Sequence, residues 1–357
     1  MPPFILQKYD IKWICESADI RYNRCIEFNK SEFVEVIMQL KVIEAHTMGE
    51  PLRLVTEGFP DIKGNSMMEK QIYFEKYYDR YRKGILLEPY GHKDMFGAIL
   101  TSKVHDEADL GVLFMNTQGM EPMCGHGSIA VSVIAVKYGL VKMKEPITEV
   151  RLDVPAGIVT LKLMIKDGKI LNVLLQNVES YYIGAESVDI DGKIRVLADL
   201  AYGGNIFAVV NADDVELTLT PENKEKIIKV GMNIKSVINE KNGNENVLGT
   251  VFYSNDVSTA DYRDTVVFGD GSIDRSPCGT GCSALISVLR NKRLVEVGKE
   301  ITVQSIVGTN FGIKITSESK INGTDYNVPV IKGNAYIIGE GVRFFDKQDP
   351  IKYGFQL

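Results

Sequence analysis

The sequence predicts a mixed α/β fold in two domains, from three observations. At 357 residues the chain is long enough for two domains of ordinary size. Short runs rich in Val, Ile and Leu, bounded by turn residues, follow one another as strands do. Two similar Cys-Gly loops, MCGHGSIA at 123–130 and SPCGTGCSA at 276–284, are each followed by a long apolar segment. The pattern is therefore mostly β, with helices at defined places.

The first half contains eight predicted strands. Each run is four to nine residues long and ends near Gly, Pro, Asn or Asp, which indicates strands rather than helices. The runs are LKVIEAHT, EPLRLVTEG, ILLEPYG, GAILTSKV, LGVLFMN, EVRLDVPAG, IVTLKLMI and ILNVLLQNV.

Two helices are predicted directly after the cysteine loops. HGSIAVSVIAVKYGLV and GCSALISVLRNKRLV are apolar nearly all round and contain Lys or Arg near the end, which is typical of a buried helix. Cys124 and Cys278 therefore stand where a helix begins.

The second half resumes the strand pattern near Tyr182 and adds one long helix. Thr220 before Pro221 predicts a helix start, and apolar residues recur at helical spacing up to Asn242-Gly243. Strands are predicted at KIRVLADLAYGG, NIFAVVN, NVLGTVFYSN and DTVVFGDG. The predicted domains are 38–182 with about 332–357, and 183–331, while 1–37 is expected to be an extension outside the catalytic core.

Composition and charge exclude several classes of function. Hydrophobic residues make up 45% and charged residues 25%, as in ordinary globular proteins, and the net charge of −6 offers no basic field for nucleic acid. No apolar run is long enough to span a membrane, and the first residues do not resemble a secretory leader. Five cysteines, an odd number, argue against a disulfide framework. A cytoplasmic protein without nucleic-acid or membrane partners is expected.

The two loops repeat the same chemistry 154 residues apart (278 minus 124). A cysteine at a helix N-terminus lies near unpaired N–H groups and the positive end of the helix dipole, which predicts a thiol pKa lowered to about 3.5–7.5. The glycines let a carboxylate approach the backbone, as anions do at helix N-termini. If both loops face one ligand, one thiolate can remove a proton beside a carboxylate while the other thiol returns a proton to the opposite face. The predicted reaction is inversion of an amino acid.

The motifs resemble those of the proline racemase family, in order and from about Met38 to the C-terminus. They are EAHTMGEPLRLVTEGFP, EPYGHKDMFGA, MCGHGSIA, AYGGNIFAVV and GDGSIDRSPCGTG. The resemblance implies a fold like that of diaminopimelate epimerase: two similar domains, each a β-sheet wrapped around a central helix, with the active site in the interdomain cleft. It also implies an enzyme without cofactor or metal that acts on proline or 4-hydroxyproline, and we expect a homodimer.

The resemblance also implies roles for individual residues. Cys124 and Cys278 would be the two acid/bases. The backbone N–H groups of four residues would bind the substrate carboxylate, His126 and Asp274 would contact its ring nitrogen, and a Gly-Gly-Asn segment would line the cleft. The carboxylate-binding residues are Gly125, His126, Gly279 and Thr280, and the cleft segment is Gly203, Gly204 and Asn205.

Two positions depart from the family pattern. Tyr90 replaces the common arginine of EPRGH, and Cys282 replaces the common threonine of CGTGT. Cys282 lies one helical turn after Cys278 and is expected to pack in the core. Arg275, beside Asp274, is expected to form an ion pair or a cap.

Two other functions remain open from the sequence. The family also contains trans-3-hydroxyproline dehydratases, which resemble this chain but usually carry threonine in place of Cys278, because elimination needs one base. In another class, Cys124, His126, Cys278 and Cys282 could supply four zinc ligands, although their spacing is not that of common zinc sites.

Overall fold

The computed structural model describes residues 38–190, 192, 194–242 and 247–357. The predictions made for residues 1–37, including Cys15 and Cys25, lie outside the described residues.

Seven of the eight strands predicted for the first half are present, together with the helix predicted after Cys124. Alternating buried and exposed positions, for example over Ile147–Val154, are typical of half-buried strands. The elements are β1 (Met38–Thr47), β2 (Glu50–Glu57), α1 (Met67–Leu86), β3 (Phe96–Thr101), β4 (Leu110–Asn116), β5 (Met120–Glu121), α2 (Gly125–Lys137), β6 (Ile147–Val154), β7 (Gly157–Lys166) and β8 (Lys169–Gln176).

The second half repeats that order of elements, with an additional strand at its start and another at its end. They are β9 (Ser180–Ile190), β10 (Ile194–Tyr202), β11 (Ile206–Asn211), α3 (Lys224–Asn242), β12 (Gly249–Ser254), β13 (Tyr262–Phe268), β14 (Ser272–Ile273), α4 (Gly279–Asn291), β15 (Glu300–Gln304), β16 (Asn310–Ile321), β17 (Thr324–Gly333) and β18 (Ala335–Phe345). A 3₁₀ turn, Pro221–Asn223, precedes α3. The mixed α/β class predicted from the sequence is confirmed.

The strand pairing of the first half is repeated in the second. The order β1-β2-β3-β4-β6-β7-β8 runs antiparallel, parallel, antiparallel, parallel, antiparallel and antiparallel. The order β10-β11-β12-β13-β15-β16-β17 repeats that pattern step by step. β8 pairs with β17 and joins the two halves, with Leu175 opposite Ile331. The likeness of the two cysteine loops therefore extends to the topology around them.

The helices α2 and α4 occupy equivalent central positions in this pattern. Residues 127–136 of α2 and 281–289 of α4 are all buried. α2 packs against β1, β2, β3, β7, β8 and β18, and α4 packs against β9, β10, β11, β12, β16 and β17. A helix surrounded by strands buries apolar side chains on every face, which explains why both sequences lack a polar stripe.

One prediction about local structure is wrong, because the stretch ILLEPYG is not a strand: Ile85 and Leu86 end α1. The helix α1 itself is not among the predicted elements. Short apolar runs do not distinguish a strand from a buried helix end. The available signal was the pair Ser66 and Glu69, because the Ser66 hydroxyl accepts the N–H of Glu69 and caps the helix.

Within the described part of the chain, no helix combines the length and apolar character needed to cross a membrane.

Candidate active site

Cys124 and Cys278 are the N-cap residues of α2 and α4, as the sequence predicts. Both have extended backbone angles, and the helix begins at the glycine that follows each cysteine. The first N–H groups of a helix have no partner within it. Each cysteine therefore lies beside N–H groups that have no partner within the helix.

The two helix N-termini face each other. A methyl group added to Gly125 would lie 3.9 Å from the Cα of Gly279, and one added to Gly279 would lie 3.9 Å from the Cα of Gly125. The nearest side chains on either side are Leu175 and Ile331, which pair across β8 and β17. The junction between the two halves thus brings both cysteine loops to one place.

The third residue after each cysteine, Gly127 or Gly281, must be glycine because the thiol lies against it. A methyl group at Gly127 would approach the Sγ of Cys124 to 3.1 Å and the ring of Phe114 to 2.8 Å. At Gly281 it would approach Val266 to 2.8 Å, and the Gly281 N–H donates to the Sγ of Cys278 at 3.3 Å. The small residue leaves room for the thiol at the helix end.

Buried carboxylates surround the two thiols. Asp274, Glu50 and Asp94 are all less than 9% exposed. The Glu50 carboxylate accepts the N–H of Arg275 at 2.5 Å, and the Arg275 guanidinium pairs with Asp94 at 2.7 Å, which confirms the ion pair expected for Arg275. One oxygen of Glu50 and one of Asp94 have no partner among the described residues. The cluster therefore contains buried carboxyl oxygens without partners in the described part of the chain, and burial raises the pKa of Glu50 well above its usual value.

The predicted lowering of the thiol pKa values is wrong for this structure. Burial raises the pKa of Cys124, and the carboxylates of Glu121, Asp274 and Glu50 raise it further. Burial also raises the pKa of Cys278, and the neighbouring Asp274 adds to the rise. The helix N-terminus stabilises a thiolate, but removal from water and nearby negative charge disfavour the charged form more strongly.

The pKa shifts of Asp274 and His126 also follow from burial. Burial and then the neighbouring Asp94 raise the pKa of Asp274 to about 6, while Arg275 opposes the rise. Burial lowers the pKa of His126 to about 4, so its imidazole is neutral near pH 7. The Nδ1 of His126 lies 3.4 Å from the Sγ of Cys124, and the ring packs edge-on against Phe96.

The Gly-Gly-Asn segment lies against the first turn of α4. A methyl group at Gly203 would lie 2.3 Å from the backbone oxygen of Thr280, and Gly204, at φ +109°, contacts the Thr280 side chain. Asn205 is exposed, and its backbone oxygen accepts the N–H of Gly203 at 3.0 Å. Gly203 and Gly204 thus lie against the Thr280 end of the Cys278 loop.

Cys282 lies in the core, as predicted. It is fully buried, and its thiol donates to the Asp264 carboxylate at 3.3 Å. Among the described residues, no group of three or more His, Cys, Asp and Glu side chains has an arrangement that could hold a metal ion. The zinc hypothesis gains no support from this geometry.

Tyr90 stands where the family pattern commonly has an arginine, and its side chain does not supply the positive charge of that arginine. Its ring lies under the Arg343 guanidinium at 5.4 Å, and its backbone oxygen accepts from Arg53 at 2.9 Å. Arg53 in turn pairs with Glu44 at 2.7 Å. Two arginines therefore contact Tyr90, Arg343 at the ring and Arg53 at the backbone oxygen.

Three acidic residues near the site received no role from the sequence. Glu50 and Asp94 lie inside motifs that carry the family resemblance, but a carboxylate in a motif does not reveal what it faces. Asp264 lies in the apolar strand β13, and a charged residue inside such a run was the available signal.

The described structure also contains a cavity of about 330 Å³ away from these residues. It is lined by residues 55–62 and 99–102, at the ends of β2 and β3. None of the predicted site residues lines it. The chemistry-bearing groups, rather than the size of a cavity, identify the candidate site.

The raised thiol pKa values predict how the free protein reacts with an alkylating reagent. Only a thiolate attacks iodoacetamide, so a raised pKa keeps the reaction slow at pH 7 and makes it faster as pH rises above about 8.5. Peptide mass mapping after timed exposure between pH 6 and 10 gives the rate at each cysteine. A rate at Cys124 or Cys278 that is already maximal below pH 8 would contradict the expectation.

Solved structures show the class of fold. A PhzF-family phenazine biosynthesis protein from Bacillus anthracis matches with a TM-score of 0.57 at 14% identity, over 85% of this chain and 98% of that one. A hydroxyproline epimerase from Agrobacterium vitis, with bound trans-4-OH-L-proline, matches with a TM-score of 0.78 at 26% identity, over 89% and 96% of the chains. The fold is that of the PhzF and epimerase-like proteins.

Sequence comparison shows the family. The proline racemase family model matches residues 42–356. The chain is 38% identical to proline racemase from Clostridioides difficile over 328 residues, which cover 89% of this chain and 98% of the relative. It is 35% identical both to 4-hydroxyproline 2-epimerase from Streptosporangium roseum (88% and 97% covered) and to trans-3-hydroxy-L-proline dehydratase from Colwellia psychrerythraea (90% and 94% covered). The chain belongs to the proline racemase family.

Proposed function

We propose that this protein is a cofactor-independent racemase or epimerase that inverts the Cα of proline or 4-hydroxyproline with two cysteine thiols. The observation that carries the proposal is the meeting of two N-cap cysteine loops at Gly125 and Gly279. Relatives named proline racemase and 4-hydroxyproline 2-epimerase, which align with 88% or more of the chain, support the choice of substrates.

The first step of the proposed mechanism is binding of the substrate carboxylate between the helix N-termini. The N–H groups of residues 128 and 282 already donate to the backbone oxygens of Cys124 and Cys278. The preceding groups, on Gly125, His126, Gly279 and Thr280, are therefore the ones that a carboxylate would engage. Negative charge that develops on the carboxylate as Cα loses its proton would be stabilised by the same groups.

The second step is proton transfer across the gap. The thiolate of one cysteine takes the Cα proton, the electron pair of the broken C–H bond moves toward the carboxylate, and the thiol of the other cysteine gives its proton to the opposite face of Cα. The enzyme then holds the thiol and thiolate in exchanged positions. The opposite enantiomer is processed by the same pair in reverse.

The buried carboxylates explain how thiols with raised pKa values would work. A proline ring nitrogen is a cation at neutral pH, and we place it next to Asp274 and His126. A bound cation offsets the negative field of Asp274, which is among the causes that raise both thiol pKa values, and that of Glu50, which acts on Cys124. Substrate binding would thus promote formation of the thiolate that the reaction needs.

We also propose that the repeated strand order forms two similar domains, 38–182 with 332–357 and 183–331, with the substrate in the cleft between them. Support comes from the equivalent pairing of β1–β8 and β10–β17 and from the central position of α2 and α4. Gly203, Gly204 and Asn205 would line this cleft beside Thr280.

Incubation with three substrates in deuterated water tests the proposal. L-proline, trans-4-hydroxy-L-proline and trans-3-hydroxy-L-proline are incubated separately and analysed by mass and chiral chromatography. Since the returning proton comes from a thiol that exchanges with solvent, the inverted product should carry one deuterium at Cα. The relative rates with the first two compounds distinguish a racemase from an epimerase.

The same assay tests the alternative that the protein is a dehydratase. The 35% identity to a trans-3-hydroxy-L-proline dehydratase is the reason to test it. Reaction with the 3-hydroxy compound alone, with loss of water, would replace our proposal by the dehydratase. Cys278 favours inversion, because elimination needs only one base and inversion needs two.

A further inference from the structure

The two cysteine loops, although equivalent in topology, are supported by different residues. A methyl group at Gly127 would contact Phe114, and one at Gly281 would contact Val266, so these two strand positions correspond. Two residues earlier on each strand stand Val112 in β4 and Asp264 in β13. The β4–β6 and β13–β15 pairings agree with this correspondence, since Gly111 and Arg263 occupy equivalent places in them.

The helix residue that lies behind each cysteine loop also differs between the two halves. Four residues after each catalytic cysteine stand Ser128 in α2 and Cys282 in α4. Ser128 is fully buried, and its hydroxyl has no hydrogen-bond partner among the described residues. Cys282 is equally buried and donates its thiol to Asp264 at 3.3 Å. A carboxylate and thiol thus stand behind one loop where a valine and serine stand behind the other.

Asp264 lies beside the start of α4. Its carboxylate accepts the thiol of Cys282 at 3.3 Å, and the nearby backbone N–H of Cys278 lowers its pKa against the larger rise that burial causes. The N–H of Cys282 donates to the backbone oxygen of Cys278 at 2.7 Å. Asp264 is 1% exposed, and its second oxygen has no partner in the described part of the chain. Asp264 is therefore buried against α4 and keeps, within the described residues, one carboxyl oxygen without a partner near Cys278.

We propose that Asp264, held in place by Cys282, is a positioning residue for Cys278 and makes the two thiols of the site inequivalent. The inference rests on the two-thiol function proposed above. Burial raises the pKa of Asp264 to about 8, below the pH at which Cys278 ionises, so Asp264 carries its negative charge when that thiol titrates. The charge adds to that of Asp274 and opposes formation of the Cys278 thiolate. Cys124 has Val112 in the equivalent place and lacks this contribution.

Other titratable and polar groups lie near Asp264 and Cys278, and the test must separate their effects on the Cys278 pKa from the effect of Asp264. Asp274 lies near both Asp264 and Cys278, and Thr280 contacts the Cys278 thiol. Arg275 and Asp94 act on Asp274. These groups stay unchanged when only Asp264 or Cys282 is substituted.

The test is the pH dependence of iodoacetamide alkylation at each cysteine, measured by peptide mass mapping. Asp264→Asn keeps the shape and an acceptor for the Cys282 thiol but removes the charge. We expect it to lower the pH of half-maximal alkylation of Cys278 by about one unit, from the Coulomb energy of one nearby charge, and to leave Cys124 unchanged. Ser128→Ala is the matched control on the other loop and should change neither profile.

Two further variants keep the test decisive. Cys282→Ala removes the donor to Asp264, keeps that carboxylate neutral over a wider pH range and should shift Cys278 in the same direction, even if Asp264→Asn does not fold. Cys282→Ser retains a donor and should preserve the wild-type profile. An unchanged Cys278 profile in the Asn and Ala variants, or an equal shift at both cysteines, overturns the inference. Alkylation needs no turnover, so this result is separate from the deuterium assay that tests the reaction itself.

Discussion

Replacing either Cys124 or Cys278 with serine should abolish interconversion of the L and D substrate. Each enantiomer uses one thiol as base and the other as acid, and a serine hydroxyl is too weak an acid for either task. We expect each variant to lose about 10²–10⁴-fold or more, the range for removal of one positioned acid or base, in both directions of the reaction. Polarimetry from each pure enantiomer measures the loss.

Cys282→Ser is the matched control for this pair. Its hydroxyl can still donate to Asp264, so most of the activity should remain. If Cys124→Ser or Cys278→Ser kept full activity, the two-base mechanism would be wrong.

Gly203→Ala should both destabilise the protein and impair catalysis. The added methyl group would lie 2.3 Å from the backbone oxygen of Thr280 and 2.5 Å from the backbone nitrogen of Ala284, so the first turn of α4 must move. Forcing a group into a packed site costs about 1–3 kcal/mol, which urea unfolding would detect. Because this turn carries the Cys278 loop, kcat/KM should fall at the same time.

Gly184→Ala provides the comparison. Gly184 lies in β9, and a methyl group there would meet nothing within 4 Å. Stability and activity should stay close to wild type. Equal behaviour of the two alanine variants would show that Gly203 does not support the first turn of α4.

The sequence by itself determined the chemical character of the site and most of the architecture. The matched loops placed Cys124 and Cys278 at helix starts, because a glycine-rich turn followed by an apolar segment has few other local solutions. The same motifs indicated the family that the comparisons then showed. Local patterns succeeded where the signal lies in neighbouring residues, and they failed at α1, where the apolar run at Ile85 fitted two kinds of element.

Only the tertiary structure decided the electrostatics of the thiols. The sequence predicted lowered pKa values from the helix N-terminus, which is a local effect. Burial and the carboxylate of Asp274 instead raise both thiol pKa values, and Glu50 adds to the rise at Cys124. Glu50 precedes Cys124 by 74 residues (124 minus 50), and the distance between them in space follows from the folded sheet. The contact of Asp264 with Cys282 likewise depends on how β13 lies against α4. Desolvation and through-space charge are properties of the assembled core, so no spacing along the chain could reveal them.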